Sequence, residues 1–97
     1  MRDYVFDEEA RRDVSGSYEY YESQRSGLGD RFGEELETVL TRVRKQASAF
    51  REVQPGIRIV RFKVFPFAMY YRLEQEIVAV IAVYHDSRDP RGWQDRI

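Results

Sequence analysis

The run Ile77-Val78-Ala79-Val80-Ile81-Ala82-Val83-Tyr84 has almost no polar position, and this constrains the fold more than any other feature of the chain. A half-exposed strand alternates apolar and polar residues, and an amphipathic helix repeats its apolar stripe roughly every 3.6 residues. A short unbroken apolar run bounded by polar residues reads instead as a strand covered on both faces, which places this segment in the middle of a sheet. Phe67–Leu73 precedes it across the polar triplet Glu74-Gln75-Glu76, a hairpin-length loop, so the two segments pair antiparallel. Further upstream, Pro55-Gly56 signals a turn and Ile57–Phe62 is rich in β-branched residues, with Ile57 and Ile59 on one face and Arg58 and Val60 on the other. Pro66 ends that strand.

The first half of the chain has the other period. Tyr4-Val5-Phe6 is a short extended segment that stops at Asp7, a helix-capping residue followed by Glu8 and Glu9, which suit the positive end of a helix dipole. Ala10, Val14, Tyr18 and Tyr21 then fall on one helical stripe, which makes Tyr18 and Tyr21 core residues, while Tyr20 points off the stripe towards solvent or a partner. Gly16 weakens this helix by about 1 kcal/mol relative to alanine, so either another backbone approaches closely there or the site tolerates the loss. Ser23–Gly29 is a break rich in serine and glycine, and Phe32, Leu36, Val39, Leu40, Val43, Ala47 and Phe50 form a second, longer stripe. A short connection between two one-sided helices gives an antiparallel helical hairpin laid on a sheet. The expected fold is therefore α+β: an N-terminal strand, a helical hairpin, then a three-strand antiparallel meander, with the helices on one face of the sheet and a single domain over residues 1–97.

Composition removes several function classes. The 97 residues, 42% of them hydrophobic, suffice for one core, and the absence of cysteine removes disulfides, thiol nucleophiles and thiolate zinc sites. With one histidine, no metal and no cofactor is expected. There is neither an apolar run of about 18 residues nor a leader-like N-terminus, which predicts a soluble cytoplasmic protein with no membrane partner. The formal charge of −1 offers no long-range attraction to nucleic acid, although acidic residues dominate positions 1–54 and basic ones positions 55–97. Lys45 and Lys63 are the only lysines; every other basic side chain is an arginine, the residue suited to bidentate contacts with carboxylate or phosphate. Gly27-Leu28-Gly29 lacks the preceding strand and third glycine of a nucleotide-binding fingerprint, no serine sits in a Gly-x-Ser-x-Gly elbow, and the acidic pairs occupy solvated positions.

The segment His85–Trp93 gathers the single histidine, the single tryptophan and two arginines directly after the expected central strand, where a rigid sheet positions side chains and a loop keeps them accessible. Arg58, Arg61, Lys63 and Arg72 lie on two neighbouring strands, and with Arg88 they could surround a phosphate or a carboxylate-rich segment. Metal-independent RNA cleavage needs a base for a 2′-hydroxyl, an acid for the leaving oxygen and cations around the phosphorane; His85, with Arg61 and Arg88, is the natural catalytic set for it. The structural alternative has His85 bonding a loop backbone, Arg88 pairing with Asp86 or Asp89, and Trp93 capping the core.

Six segments, taken in order, resemble the RelE/ParE superfamily of type II toxin–antitoxin toxins. They are Ala10-Arg11-Arg12-Asp13, Tyr18-Glu19-Tyr20-Tyr21, Gly27–Phe32, Pro55-Gly56-Ile57-Arg58, Phe65–Arg72 and Val83–Trp93. The Phe-Pro-Phe strand followed by His-x-x-Arg-x-Pro is the most specific pair. The resemblance implies a small bacterial toxin held inactive by a cognate antitoxin whose flexible tail folds onto it. Members of the superfamily either cut messenger RNA on the ribosome or poison DNA gyrase without being enzymes themselves. The near-neutral charge and the His85/Arg88/Pro90 pattern favour the ParE-like gyrase inhibitor. The alternatives are a RelE-like ribonuclease, in which Arg58, Arg61, Lys63 and Arg88 align with the basic cluster, and a degenerate binding module without toxicity. Arg58, Arg61, Lys63, Arg72, Tyr20 and Trp93 are the candidate binding residues.

Overall fold

A computed structural model describes residues 1–97. The elements in chain order are β1 (Asp3–Phe6), α1 (Glu8–Gln24), α2 (Leu28–Lys45), β2 (Glu52–Gln54), β3 (Ile57–Arg61), β4 (Phe67–Glu74), β5 (Ile77–His85) and the one-turn α3 (Arg91–Gln94). They build a five-stranded sheet ordered β1-β5-β4-β3-β2, in which β1 runs parallel to β5 and every other neighbouring pair is antiparallel. The α+β order, the helical hairpin and the β3-β4-β5 meander agree with the sequence reading, and β5 lies inside the sheet as its apolar run requires.

Three features differ in detail. First, α2 stops at Lys45, yet Ala47 and Phe50 still pack on the core from the following linker, so a helical stripe continued past the helix that produced it. Second, that linker ends in β2, a three-residue strand too polar to stand out by alternation. Third, the two long helices share one face of the sheet, but α3 lies on the other, where Trp93 joins Ile57, Ile81, Ala82 and Tyr84 in a small second cluster.

The main core lies between the sheet and the hairpin. Phe32 is its centre, with ring centroids 4.9 Å from Phe67, 5.5 Å from Phe65 and 5.9 Å from Phe62. Tyr21 packs against this aromatic group, but Tyr18 does not: it is more than a third exposed, and its hydroxyl donates to Asp30 at 2.7 Å across the hairpin. The core there is closed by backbone proximity instead. A Cβ on Gly29 would come within 2.8 Å of the Tyr18 carbonyl oxygen, so this glycine lets α2 start against α1, while Gly16 has open space around it. Glu22 completes the junction by accepting the Gly27 and Gly29 N–H groups.

Two local devices shape β4 and β5. Gln75 and Glu76 both have positive φ, as a two-residue hairpin turn demands, although neither is the glycine or asparagine that adopts such angles at least cost. At the other end of the pair, Tyr70 faces Ala82 while Tyr71 faces Val80, which leaves Ile81 as the extra residue of a β-bulge. The bulge turns both Ile81 and Ala82 to the α3 side, returns Val83 to the main core and puts Tyr84 beneath α3.

Candidate functional site

The bulge comes where β1 has already ended, so part of the β5 backbone there has no strand beside it. Asp13 of α1 and Arg96 of the C-terminal segment take that place. Val83 N–H donates to Asp13 Oδ2 at 3.0 Å, and Arg96 Nη1 donates to the Ile81 carbonyl at 3.0 Å. The two side chains also grip each other in a bidentate pair, with Arg96 Nη1 2.7 Å from Asp13 Oδ2 and Arg96 Nη2 2.9 Å from Asp13 Oδ1. They are only 6% and 11% exposed. Bonding to Asp13 holds the Arg96 guanidinium charged, above its already high ordinary value. Glu9 lies 3.2 Å from Arg96 Nε. This clasp ties residues following β5 to α1 and thereby fixes the loop that carries the sequence-selected side chains.

That loop folds over the sheet end into a groove of about 220 Å³. Its floor is aromatic: Trp93 stacks on Tyr70 with centroids 4.2 Å apart, and Tyr84 stands beside them under α3. A Cβ at Gly92 would sit 1.8 Å from the Tyr84 hydroxyl oxygen, so α3 approaches this closely only because position 92 is glycine. Burial pushes the Tyr70 hydroxyl above its ordinary value, against the opposing pull of Arg61. The indole Nε1–H of Trp93 is buried without a partner.

The rim is charged; Arg61 has a carboxylate of its own, whereas Arg88 shares one with Arg96. Arg61 Nη1 is 3.1 Å from Asp86 Oδ1. The Arg88 guanidinium carbon sits over the Tyr84 ring, 3.8 Å from its centroid, and Arg88 Nη1 reaches Asp13 Oδ1 at 3.5 Å. Arg91 chelates Asp89 just outside the groove, and this contact lowers the Asp89 carboxyl below its ordinary range. His85 packs edge-on against Phe67, and its Nδ1 accepts the Ser87 backbone N–H at 2.9 Å, with Ser87 Oγ 2.8 Å away. A backbone N–H can only donate, so neutral His85 carries its proton on Nε2.

The structure thus brings together Arg61, His85, Arg88 and Trp93 and leaves the other candidates elsewhere. Arg58 faces the helical side of β3 and donates to the Ser48 and Phe50 carbonyls, where it secures the linker after α2. Lys63 is in the β3–β4 loop, Arg72 lies further along β4 opposite Ala79, and Tyr20 is exposed on α1. Alternation on a strand decides this: Arg58 and Arg61 are three positions apart and therefore point to opposite faces.

Sequence reasoning did not find Asp13, Arg96, Ser87, Tyr70 and Tyr84 as parts of this site. The position of Asp13, one turn after buried Ala10 on the stripe, was the available signal, since an acid on an apolar stripe needs a buried partner. Glu35 was also missed. It accepts the backbone N–H groups of Lys63, Val64 and Phe65 at 2.8, 2.9 and 2.8 Å and pins the β3–β4 loop to α2. Partial burial acts to raise its pKa, but the bonds from Phe65, Val64 and Lys63 outweigh it and hold Glu35 below the ordinary carboxylate value. No group of three or more imidazole or carboxylate side chains is arranged to hold a metal ion, and no helix is long and apolar enough to cross a membrane.

Comparison with known proteins adds the family to this geometry. The profile described as ParE toxin of the type II toxin–antitoxin system parDE matches residues 4–90. No curated protein matches the chain significantly. Among solved structures, a chain of the chromosomal ParDE system from P. aeruginosa superposes with a TM-score of 0.65 at 13% identity, over 88% of this chain and 96% of that one. The isolated E. coli RelE toxin gives 0.67 at 19% identity over 98% and 95%. A chain of the intact E. coli RelBE toxin–antitoxin complex gives 0.51 at 21% identity over 91% and 100%.

Proposed function

Since the chain belongs to the ParE toxin family and is a toxin of a type II toxin–antitoxin system, we propose that its target is DNA gyrase, which it poisons without being an enzyme, and that a cognate antitoxin neutralises it. The observation that carries this reading is the small excess of charge in the groove. Arg61 is paired with Asp86, while Arg88, over the Tyr84 ring, reaches an Asp13 carboxylate already held by Arg96, so the groove presents one cation in excess rather than a cluster of them. Arginine and a partly exposed tyrosine, here Arg61, Arg88 and Tyr70, are residue types of protein-binding hot spots, and the buried Trp93 and Tyr84 rings support them from below. A polyanionic RNA is held by several unpaired cations, and this groove offers only Arg88. The antitoxin is inferred by kinship: E. coli RelE, which shares the fold, occurs with its antitoxin in the RelBE complex.

The state of His85 also argues against RNA cleavage. Its Nδ1, the basic nitrogen of the neutral ring, is occupied by the Ser87 N–H, so the ring offers a donor and no free base for a 2′-hydroxyl. The test uses the purified toxin in two reactions, one with gyrase, ATP and plasmid and one with messenger RNA and ribosomes. The expected result is gyrase-dependent DNA breakage with intact RNA. RNA cleavage that disappears in His85→Ala would overturn the assignment and establish the ribonuclease. Normal growth on induction without antitoxin, with both reactions blank, would instead establish a degenerate binding module.

A further inference from the structure

The sheet has two edges, and only one is protected. The β2 edge is three residues long, irregular in register, and Glu52 folds back to accept the Gly56 N–H. Short, irregular edges resist strand addition. The β1 edge is regular. Asp7 N–H donates to the Val80 carbonyl, so the alternation of a parallel ladder directs the backbone groups of Asp3 and Val5 towards β5 and those of Tyr4 and Phe6 outwards.

The side chains along this edge have a definite pattern. Tyr4 and Phe6 lie on the helical face, where Tyr4 meets Arg44 and Phe6 meets the core. Asp3, Val5 and Asp7 therefore share the outer face. Val5 is 45% exposed and Ile77, opposite Asp3, is 40% exposed; with Ala79 and Glu74 they line an open depression of about 350 Å³. Neither Asp3 nor Asp7 makes an ion pair, and Asp7 does not cap α1 with its side chain.

We propose that the β1 edge is a strand-addition site for an extended basic segment of a partner protein, with an apolar side chain opposite Val5 and Lys or Arg two positions to either side, opposite Asp3 and Asp7. Main-chain bonds to Tyr4 and Phe6 supply attachment, and the outward side chains supply selection. A second copy of the chain is excluded by the same pattern. Antiparallel pairing of β1 about Val5 sets Asp3 of each copy against Asp7 of the other, and like charges placed directly opposite are destabilising. The site lies on a different edge from the groove and does not depend on the identity of the toxin's target.

The probe is the acetylated, amidated peptide Thr-Lys-Thr-Val-Thr-Lys-Thr, and its control carries Glu at both Lys positions. With the intact toxin, the Lys peptide slows amide exchange at Tyr4 and Phe6 at least tenfold relative to the Glu peptide, and the double variant Asp3→Lys with Asp7→Lys reverses the preference. A second measurement needs no peptide. Asp3→Lys alone sets an ammonium of each copy against Asp7 of the other, so two attractive pairs replace two repulsive ones across the dyad. Sedimentation then shows this variant dimerising at least tenfold more tightly than the wild type. Equal protection by both peptides, protection elsewhere on the sheet, or an Asp3→Lys variant no more dimeric than the wild type would each overturn the proposal.

Discussion

Replacing Asp13 by Asn keeps the shape of the side chain and removes its charge, which makes it a sharp test of the clasp behind the groove. In the wild type the carboxylate accepts two bonds from Arg96, one from Val83 N–H and a longer one of 3.5 Å from the half-exposed Arg88, at a site where it is 6% exposed. Removing one partner of such a pair costs about 3–5 kcal/mol, because the remaining charge is left buried. Two circumstances reduce this: Arg96 keeps the Ile81 carbonyl and Glu9, and the Asn oxygen still accepts one N–H. The expected loss is therefore about 2–3 kcal/mol, the scale of a charged hydrogen bond together with a partly unsatisfied donor. Urea unfolding reads it as a lower midpoint at unchanged slope. Native-state exchange localises it, with the Val83 amide opening faster than the Phe32 amide. In a double-mutant cycle with Arg96→Leu, the coupling should account for most of the Asp13→Asn loss, since neutralising both partners leaves no buried charge. A loss under about 1 kcal/mol, at the level of an ordinary exposed pair, or a coupling near zero, would refute the claim that this pair holds the C-terminal segment.

Other variants test neighbouring steps. Gly16→Ala should stabilise the chain by about 0.5–1 kcal/mol in urea unfolding, because the helix has open space there, while Gly29→Ala should destabilise it because the new methyl meets the Tyr18 carbonyl. Gly92→Ala drives a methyl into the Tyr84 hydroxyl; it should displace α3, expose Trp93 and shift its fluorescence to longer wavelength, with most of the unfolding free energy retained. Glu35 has a lowered carboxyl in the folded state, so the unfolded chain takes up the proton first and stability falls as pH drops below the ordinary carboxylate value of 4.5. Glu35→Gln should flatten that acid limb in pH-dependent unfolding. Burial raises the Tyr71 hydroxyl to about 12 and the folded chain holds this proton longer, so stability should fall as pH rises above 10, and less steeply in Tyr71→Phe.

The parts of the fold legible in the sequence are those where one residue pattern admits one geometry. The apolar run of β5 had to be internal, and the stripes of α1 and α2 had to face a common layer. What escaped was set by pairing between distant segments. The bulge at Ile81 depends on the register with β4, and β2 depends on β3 lying beside it. The basic residues show the same division. Sequence brought Arg58, Arg61, Lys63, Arg72 and Arg88 into one cluster, but strand alternation sends Arg58 to the linker carbonyls while Arg61 joins Arg88 at the groove. Arg96 and Asp13 are 83 positions apart, and no local pattern announces their clasp. The aromatic floor was half legible: Trp93 was selected, but its stacking partner Tyr70 read as an ordinary strand residue.

The central claim is that the groove edged by Arg61 and Arg88 is the surface through which this toxin acts on gyrase. The most direct measurement is plasmid breakage by gyrase titrated with wild-type toxin and with Arg61→Glu, a substitution at a largely exposed side chain. At matched thermal stability, the variant should need at least tenfold more protein for the same breakage. Equal potency of the two proteins, or breakage by neither while RNA is cut, would contradict it.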